Sequence, residues 1–446
     1  MLVGAQPLLL GLDIGTSRCK ALLVDHQGDE IGTALAATPF VRRGGRIEMT
    51  VESLRSALER LLAGLGEPGS RVEAVGITGM AESGAPLGAN GLPLAPVIAW
   101  HDSRGAGAVA TLEQRMGVEL RRRIGQRIRT VSSVAKLGWL VDHGTMGIRR
   151  WLGVPELCLF ALTGAQVTDY SLAARTGAYD IVSCQWMPEV PDALGFPVGV
   201  FPFVHAAGTA MGRVTGDAST WSGLRTGVPV TLAGHDHLAA LSGSGAGSAD
   251  FGNSVGTAES VVVRTAVLPE IDRALALEVA VTRPPTGEGW AILAGAARAG
   301  TAVQTLAAAL GASPADLDTQ AQGVPGSDGC EILAAALAGD VPVPTGVPPG
   351  IVWNGLLTAL SERTWQAVGR AAELVGPPLR LVVFGGGAKS RPWLQAKAAI
   401  GSVPVWRTTT LEAAARGAAL TAGVAAGWWP SVQESAAAPL EEIEPA

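Results

Sequence analysis

The chain of 446 residues has little of several things that usually announce a function. It holds four cysteines, Cys19, Cys158, Cys184 and Cys330, far apart and at no metal-ligand spacing. That excludes a disulfide framework and points to buried, reduced thiols in a cytoplasmic protein. Charged residues make up only 16% and the formal charge is −6, so no basic face is expected for nucleic acid or an anionic membrane. Arg121–Arg123 and Arg149–Arg150 fit solvated helix faces. No apolar run reaches spanning length. The opening stretch MLVGAQPLLLGLDIG lacks a basic start and meets a carboxylate at Asp13, so it reads as a first strand and not as a signal peptide. Six histidines are scattered along the chain, with only His235 and His237 close together; a two-His zinc site there is disfavoured, since no third or fourth ligand is evident in the sequence nearby.

What is present is glycine (59 residues), proline (28) and apolar residues at 48%, the composition of a turn-rich globular chain with material for two or three domains. One pattern occurs twice. Residues 11–16 read Gly-Leu-Asp-Ile-Gly-Thr, and residues 252–257 read Gly-Asn-Ser-Val-Gly-Thr. Each sits among apolar residues and runs into a second strand-like segment, Cys19–Asp25 in one copy and Ser260–Thr265 in the other. Glycines permit the tight turn and close ligand approach. Thr16 and Thr257, with the backbone N–H groups of Gly15, Ser17 and Gly256, suit phosphate oxygens. Two such turns in matching places suggest a polyphosphate held between duplicated α/β domains.

Elsewhere, Val51–Leu65 has a helical apolar period, Val72–Thr78 and Ala95–Trp100 read as strands, and Ala108–Leu162 is mostly helical. Ala291–Leu310 and Leu356–Leu374 read as helices, Leu379–Phe384 as a short buried strand, and the acidic tail from Pro430 as frayed. A new series of elements begins near residue 232. The expected domains are therefore 1–231 and 232–446, facing each other across a cleft.

Asp13 lies within an apolar strand, where an isolated charge is too costly. Beside Gly15-Thr16 it suits Mg²⁺, held through water, better than a plain turn cap. Asp236, in Gly234-His235-Asp236-His237, follows a strand at the domain junction, where it could take a proton from a hydroxyl attacking phosphorus. A helix N-cap is the plain alternative. Gly386 and Gly387 form a backbone-approach turn fitting a base or ribose, and the small-residue segment Glu412–Gly417 suits close packing on that turn or on an adenine. Trp100, Asp102 and Arg104 combine an aromatic plate with polar groups in the manner of a sugar site, and Glu82 could share that pocket. Two tempting motifs fail: Gly385–Ser390 lacks the glycine a P-loop needs, and Gly243–Gly247 is no dinucleotide fingerprint.

Taken together, these segments resemble the FGGY family of carbohydrate kinases, over Leu8 to about Gly427. Gly11–Lys20 resembles the first phosphate motif and Ser254–Thr257 the second. Trp100-His-Asp102-Ser-Arg104 resembles a W-x-D-x-R segment, Leu162–Ser171 with Arg175-Thr176 the L-T-G…T-D-x-S segment, and Gly234-His-Asp236 the catalytic G-x-D. Phe384–Ser390 with Glu412–Gly417 looks like the adenosine motif. The resemblance implies two duplicated actin-like (ribonuclease H-like) α/β domains with a cleft between them, ATP and Mg²⁺ as cofactors, and a small sugar or polyol as substrate. It places Asp13 near the metal and Gly15, Thr16, Ser17, Lys20, Gly256 and Thr257 around the phosphates. Gly386 and Gly387 then border adenosine, Asp236 is general base, and Glu82, Trp100 and Asp102 touch the sugar or its pocket wall. A pentulose such as xylulose or ribulose is favoured, although Ala81 replaces both the basic residue of glycerol kinases and the His of xylulose kinases. The Pro- and Arg-containing stretch expected in the second domain is poorly kept in Ala334–Pro344. A homodimer is compatible with this reading. The competing readings are a sugar-independent actin-like ATPase or sensor, and an acetate-type acyl kinase, for which no anion-binding arginines can be placed.

Overall fold

Leu8, Leu9, Leu10, Leu12 and Ile14 are almost wholly buried, so the first strand, Leu8–Ile14, presents apolar side chains on both faces. That is the pattern of a strand at the centre of a layered sheet. In the computed structural model, which describes residues 6–66, 70–339, 341, 346–410 and 412–445, this strand indeed lies inside a six-stranded sheet. Its order is Gly212–Arg213, Pro229–His235, Val72–Gly79, Leu8–Ile14, Arg18–Val24 and Glu30–Ala37. The first strand pairs antiparallel with Arg18–Val24 and parallel with Val72–Gly79, which pairs parallel with Pro229–His235. Three parallel strands therefore end at one edge, with Asp13 opposite Thr78 and Thr78 opposite Gly234. In open α/β sheets that carboxyl edge is where ligands bind.

One face of the sheet is covered by the helix Val51–Ala63, which buries Leu54, Ala57, Leu58, Leu61 and Leu62 and starts at Thr50, whose hydroxyl accepts from Ser53 N. Each buried leucine contributes about 1.5–3 kcal/mol. The other face takes the helix Ala413–Ala425 at backbone contact. A Cβ on Gly11 would stand 1.8 Å from Ala415 O, and one on Gly76 1.9 Å from Ala418 O. Only glycine allows so close an approach.

The molecule divides into two units. The first runs to Gly243 and takes in Ala266–Trp290 and Ala414–Ala437; the second comprises Ser244–Thr265, Ala291–Ala413 and the chain from Ala438. The expected boundary between 231 and 232 falls inside the strand Pro229–His235, which sits within the first sheet and carries Asp236 into the first unit. The Glu412–Gly417 segment likewise differs from expectation: from Ala414 its small-residue helix belongs to the first unit, and its small face packs on the glycines of that sheet.

The second unit repeats the hairpin. Phe251–Val255 pairs antiparallel with Glu259–Thr265 and parallel with Leu381–Phe384, which pairs parallel with Val405–Thr408. Ala291–Ala297, expected to be helical, is a strand beside Glu259–Thr265, and the helix begins only at Ala299. A short continuous apolar run has no period to distinguish the two states. The tail is not frayed throughout, because Leu440–Glu442 adds an edge strand to Val405–Thr408, with Arg407 paired to Glu441 at 2.6 Å. Of the degenerate stretch Ala334–Pro344, residues 334–338 close the helix Gly329–Ala338, while 340 and 342–345 lie outside the described residues. Among the described residues no helix is long and apolar enough to cross a membrane.

Candidate active site

The strand ends of the first sheet gather most of the chemistry expected of the chain. Asp13 leaves 5% of its side chain exposed, and Lys20, its neighbour across the hairpin, brings Nζ to 3.3 Å from Oδ2. Ahead of it the turn closes with Gly15 N donating to Arg18 O, while Thr38 Oγ1 donates to Gly15 O. The backbone N–H groups of Thr16 and Ser17 have no partner among the described residues, so they are available to an anion. Thr16 Oγ1 accepts from Trp100 Nε1 at 2.9 Å, which leaves its hydroxyl hydrogen to donate. The indole thus joins the phosphate turn to the Trp100–Arg104 segment, a link no sequence pattern signals.

Asp236 follows Pro229–His235 and opens the helix Asp236–Gly243. Its Oδ1 accepts from His237 N at 2.7 Å and stands 3.3 Å from His235 Nε2. Desolvation pushes the carboxyl up to about 7, against the hydrogen bond from His237 and the charge of Lys20. A base with that affinity suits proton transfer near neutrality. The same burial pulls the His237 imidazole down to about 4 and His235 well below its ordinary range, aided for both by Arg175. Both rings are therefore neutral at pH 7.

Glu82 sits just past Val72–Gly79 with φ +65°, a strained conformation for a side-chain-bearing residue and one that recurs at functional sites. Its Oε1 accepts from Arg175 Nε at 2.8 Å and from Arg175 Nη2, while Arg175 Nη1 donates to Gln126 Oε1 at 2.6 Å. Glu82 Oε2 has no hydrogen-bond partner among the described residues. The charges of Glu82 and Arg175 both reach Asp236 and His237. Arg175 and Gln126 were not singled out in the sequence; the only signal was Arg175 trailing the T-D-x-S segment.

Of the two places open to Asp102, sugar contact or pocket wall, its hydrogen bonds favour the second. Its oxygens accept from Ile47 N, Arg104 N, Arg104 Nε and Arg104 Nη2, and the residue is 2% exposed. Burial opposes the charge, but the Arg104 and Ile47 hydrogen bonds outweigh it and hold the carboxyl at about 2. Asp102 is thus a brace for the pocket wall with no oxygen left for a sugar. Lys136 Nζ donates to its carbonyl.

Asp13 fits Mg²⁺ by the chemistry of its donor: a hard carboxylate oxygen beside free turn N–H groups, the surroundings in which Mg²⁺ keeps its waters and shares a phosphate. His237 feels the Asp13 charge. His235, Asp236 and His237 also bring one ligand atom each within 4.8 Å of one another, a set better suited to a softer cation than to Mg²⁺.

In the second unit, Gly256 and Thr257 are exposed at the hairpin tip, where Gly256 N donates to Ala258 O. The helix Ala299–Leu310 begins against this turn, since a Cβ on Gly300 would stand 2.6 Å from Gly256 O. A helix N-terminus there favours negative charge. A Cβ on Gly386 would meet only Val255 O, at 4.0 Å, whereas one on Gly387 would meet Val255 Cγ1 at 2.2 Å and Trp393 at 2.8 Å. Packing alone thus explains the glycine at 387, and of the pair only Gly386 leaves room for a ligand.

A carboxyl raised toward neutrality, a largely buried Glu–Arg pair and an open Gly-Thr turn thus lie at the ends of strands of one sheet. Residues 8–243 match the N-terminal domain model of the FGGY family of carbohydrate kinases, and residues 332–426 match its C-terminal domain model. The chain belongs to the FGGY family of carbohydrate kinases, which makes it an ATP-dependent kinase of a sugar or polyol. An L-fuculokinase of Escherichia coli (strain K12) is 27% identical, with 97% of this chain and 95% of that protein covered. A glycerol kinase of Aromatoleum aromaticum is 30% identical, with 96% and 92% covered. Among solved structures, a xylulose kinase from Rhodospirillum rubrum superimposes with a TM-score of 0.82 at 24% identity, covering 98% of this chain and 94% of that one. A Plasmodium falciparum glycerol kinase with ADP does so at 0.80 and 17% identity, covering 97% and 94%.

Proposed function

We propose that the protein transfers the γ-phosphoryl group of Mg²⁺-ATP to a primary hydroxyl of a small ketose or polyol, with a pentulose as the favoured substrate and Asp236 as general base. The observation that carries this reading is the place of the Asp236 carboxyl. It is partly open at the end of Pro229–His235, next in the sheet but one to the strand of Asp13, and within electrostatic reach of Glu82, Arg175 and Lys20. The acceptor oxygen attacks the γ-phosphorus as its proton passes to Asp236. The new O–P bond forms while the bond from γ-phosphorus to the β,γ-bridging oxygen breaks, and ADP leaves. Glu82 Oε2 accepts a hydrogen bond from a second substrate hydroxyl, and Arg175 holds Glu82 in place to do so. Trp100 offers an apolar plate to a sugar face. In this reading, the first unit supplies the sugar site, the base, the Asp13 carboxylate for Mg²⁺ and the Gly15-Thr16-Ser17 turn with Lys20. The second unit supplies Gly256 and Thr257 for phosphate and Gly386 for adenosine. Mg²⁺ would offset charge on the phosphates during transfer.

Support for a pentulose comes from the Gly-His-Asp and Trp-x-Asp-x-Arg segments and from the likeness to a xylulose kinase, while likeness to an L-fuculokinase and to glycerol kinases sets the competing substrates. The test is a panel of pentuloses, 6-deoxyhexuloses, tetritols and glycerol, with ADP release and product identity read together. Phosphorylation of a pentulose at the highest kcat/KM is expected. ATP turnover unaffected by every acceptor would overturn the kinase reading in favour of a sugar-independent ATPase. For the base, Asp236→Asn is expected to retain ATP binding by calorimetry while phosphorylation falls at least about a hundredfold. A kcat equal to wild type in that variant would remove Asp236 from the role.

A further inference from the structure

Three elements of the first unit converge on one peptide bond, between Gly234 and His235. Thr78, from Val72–Gly79, donates its hydroxyl to Gly234 O at 2.6 Å. Ser171, from the helix Tyr170–Arg175, accepts from His235 N at 3.0 Å. Its own hydroxyl hydrogen goes to Asp169 Oδ1 at 2.7 Å, an oxygen that also accepts from Ser171 N and Leu172 N. Thr78, Asp169 and Ser171 have no exposed surface. Gly234 itself has φ +83°, and a Cβ there would stand 2.3 Å from Ser171 Oγ and 2.4 Å from Pro285 Cγ. The pairing register with Val72–Gly79 slips between Leu232 and Gly234, the kind of bulge that re-aims the side chains after it.

A strand that merely ends before a helix needs no such array. Here both polar groups of a single peptide are held, from opposite sides, by buried hydroxyls, and the residue after that peptide's second partner is Asp236. The two hydroxyls also sit four residues before the two members of the ion pair, Thr78 before Glu82 and Ser171 before Arg175. We propose that Thr78, Ser171 and Asp169 are positioning residues that clamp the Gly234–His235 peptide, aiming the Asp236 carboxylate at the acceptor hydroxyl in register with Glu82 and Arg175. This rests on Asp236 being the base. A base displaced by a fraction of an ångström loses its line to the proton, whereas substrate binding through Glu82 and Trp100 is largely kept.

The experiment compares Ser171→Ala, Ser171→Thr, Thr78→Val and Asp236→Asn, alone and with Ser171→Ala combined with Asp236→Asn. Ser171→Ala and the near-isosteric Thr78→Val are expected to lower kcat about tenfold to a hundredfold with little change in KM for the sugar. Ser171→Thr, which keeps the hydroxyl, should recover most of that loss. In the Asp236→Asn background Ser171→Ala should cause no further drop, because the clamp acts only through the base. Thermal melts identify any variant that does not fold, and Thr78→Val carries the test if Ser171→Ala is such a variant. Folded Ser171→Ala and Thr78→Val with wild-type kcat, or a loss confined to KM, would overturn the clamp. Wild-type kcat in Asp236→Asn would instead overturn the base reading itself, so the two failures are distinct.

Discussion

The two Gly-Thr hairpins share a backbone and differ in what they do with an acid. In the first, Asp13 faces Lys20 across the strands at 3.3 Å, and the lysine keeps 28% of its side chain exposed. In the second, Ser254 occupies the matching place and the acid is Glu259, on the returning strand. It is buried, with Oε1 accepting from Lys397 at 2.6 Å, from Thr364 at 2.7 Å and from Asn253 at 3.1 Å. Lys397 is equally buried, and that burial pulls its ammonium below the ordinary range against the attraction of Glu259. One fold element thus carries a nearly buried carboxylate whose lysine partner is partly exposed, and the other locks a carboxylate and its lysine together between two helices. The duplication sets the shape of the turns, and the position of the acid decides whether a copy serves chemistry or architecture.

The contrast can be broken most sharply in the second hairpin. Lys397→Met leaves Glu259 buried without its cation, and about 3–5 kcal/mol of stability should go, read as a lower urea midpoint. Pairing it with Glu259→Gln should recover much of that loss, since no uncompensated charge then remains. A melt of Lys397→Met matching wild type would show the pair to be no lock. Next in size, Asp13→Ala should cost less stability in urea than Lys397→Met, because Lys20 keeps 28% of its side chain exposed and can turn to water when its partner is removed. Its activity should fall about a hundredfold, with saturation shifted to higher Mg²⁺. Unchanged kinetics across a Mg²⁺ titration would take Asp13 away from the metal. The smallest effect belongs to Lys20→Met. Lys20 favours the ionised form of Asp236, so its loss should raise the acid limb of the kcat/KM profile above about 7. Since the base works deprotonated, activity then disappears at a higher pH than in wild type. A limb that stays put or moves down contradicts the electrostatic link.

How much of this was readable beforehand follows from distance along the chain. The hairpins, the strand before Gly234 and the helix Val51–Ala63 announce themselves through local spacing, and Asp13, Thr16 and Asp236 stand within those patterns. Which of sugar or wall Asp102 serves is not legible in the sequence, because Ile47 N, which donates to its Oδ2, lies 55 residues earlier. Glu82 and Arg175 are 93 residues apart and Glu259 and Lys397 are 138, separations at which no periodicity speaks. A unit boundary near residue 232 is what composition suggests, because Pro229–His235 looks like an opening strand. Its neighbours in the sheet, from residues 72–79 and 212–213, are what make it a closing one. At Gly387 the sequence cannot separate two demands, because close backbone approach to a ligand and close packing ask for the same residue.

The helix Ala413–Ala425 has a consequence for how the chain is made. Its first-unit portion begins roughly 170 residues after Gly243, the end of the unit's main segment. At about 5–20 residues per second, the ribosome delivers that covering helix roughly 10–30 s after the end of the unit's main segment, and later still after the strands of Gly11 and Gly76. Until then the backbone of Gly11 and Gly76 lies bare, and a chain stopped anywhere before residue 413 would leave one side of its oldest sheet permanently open.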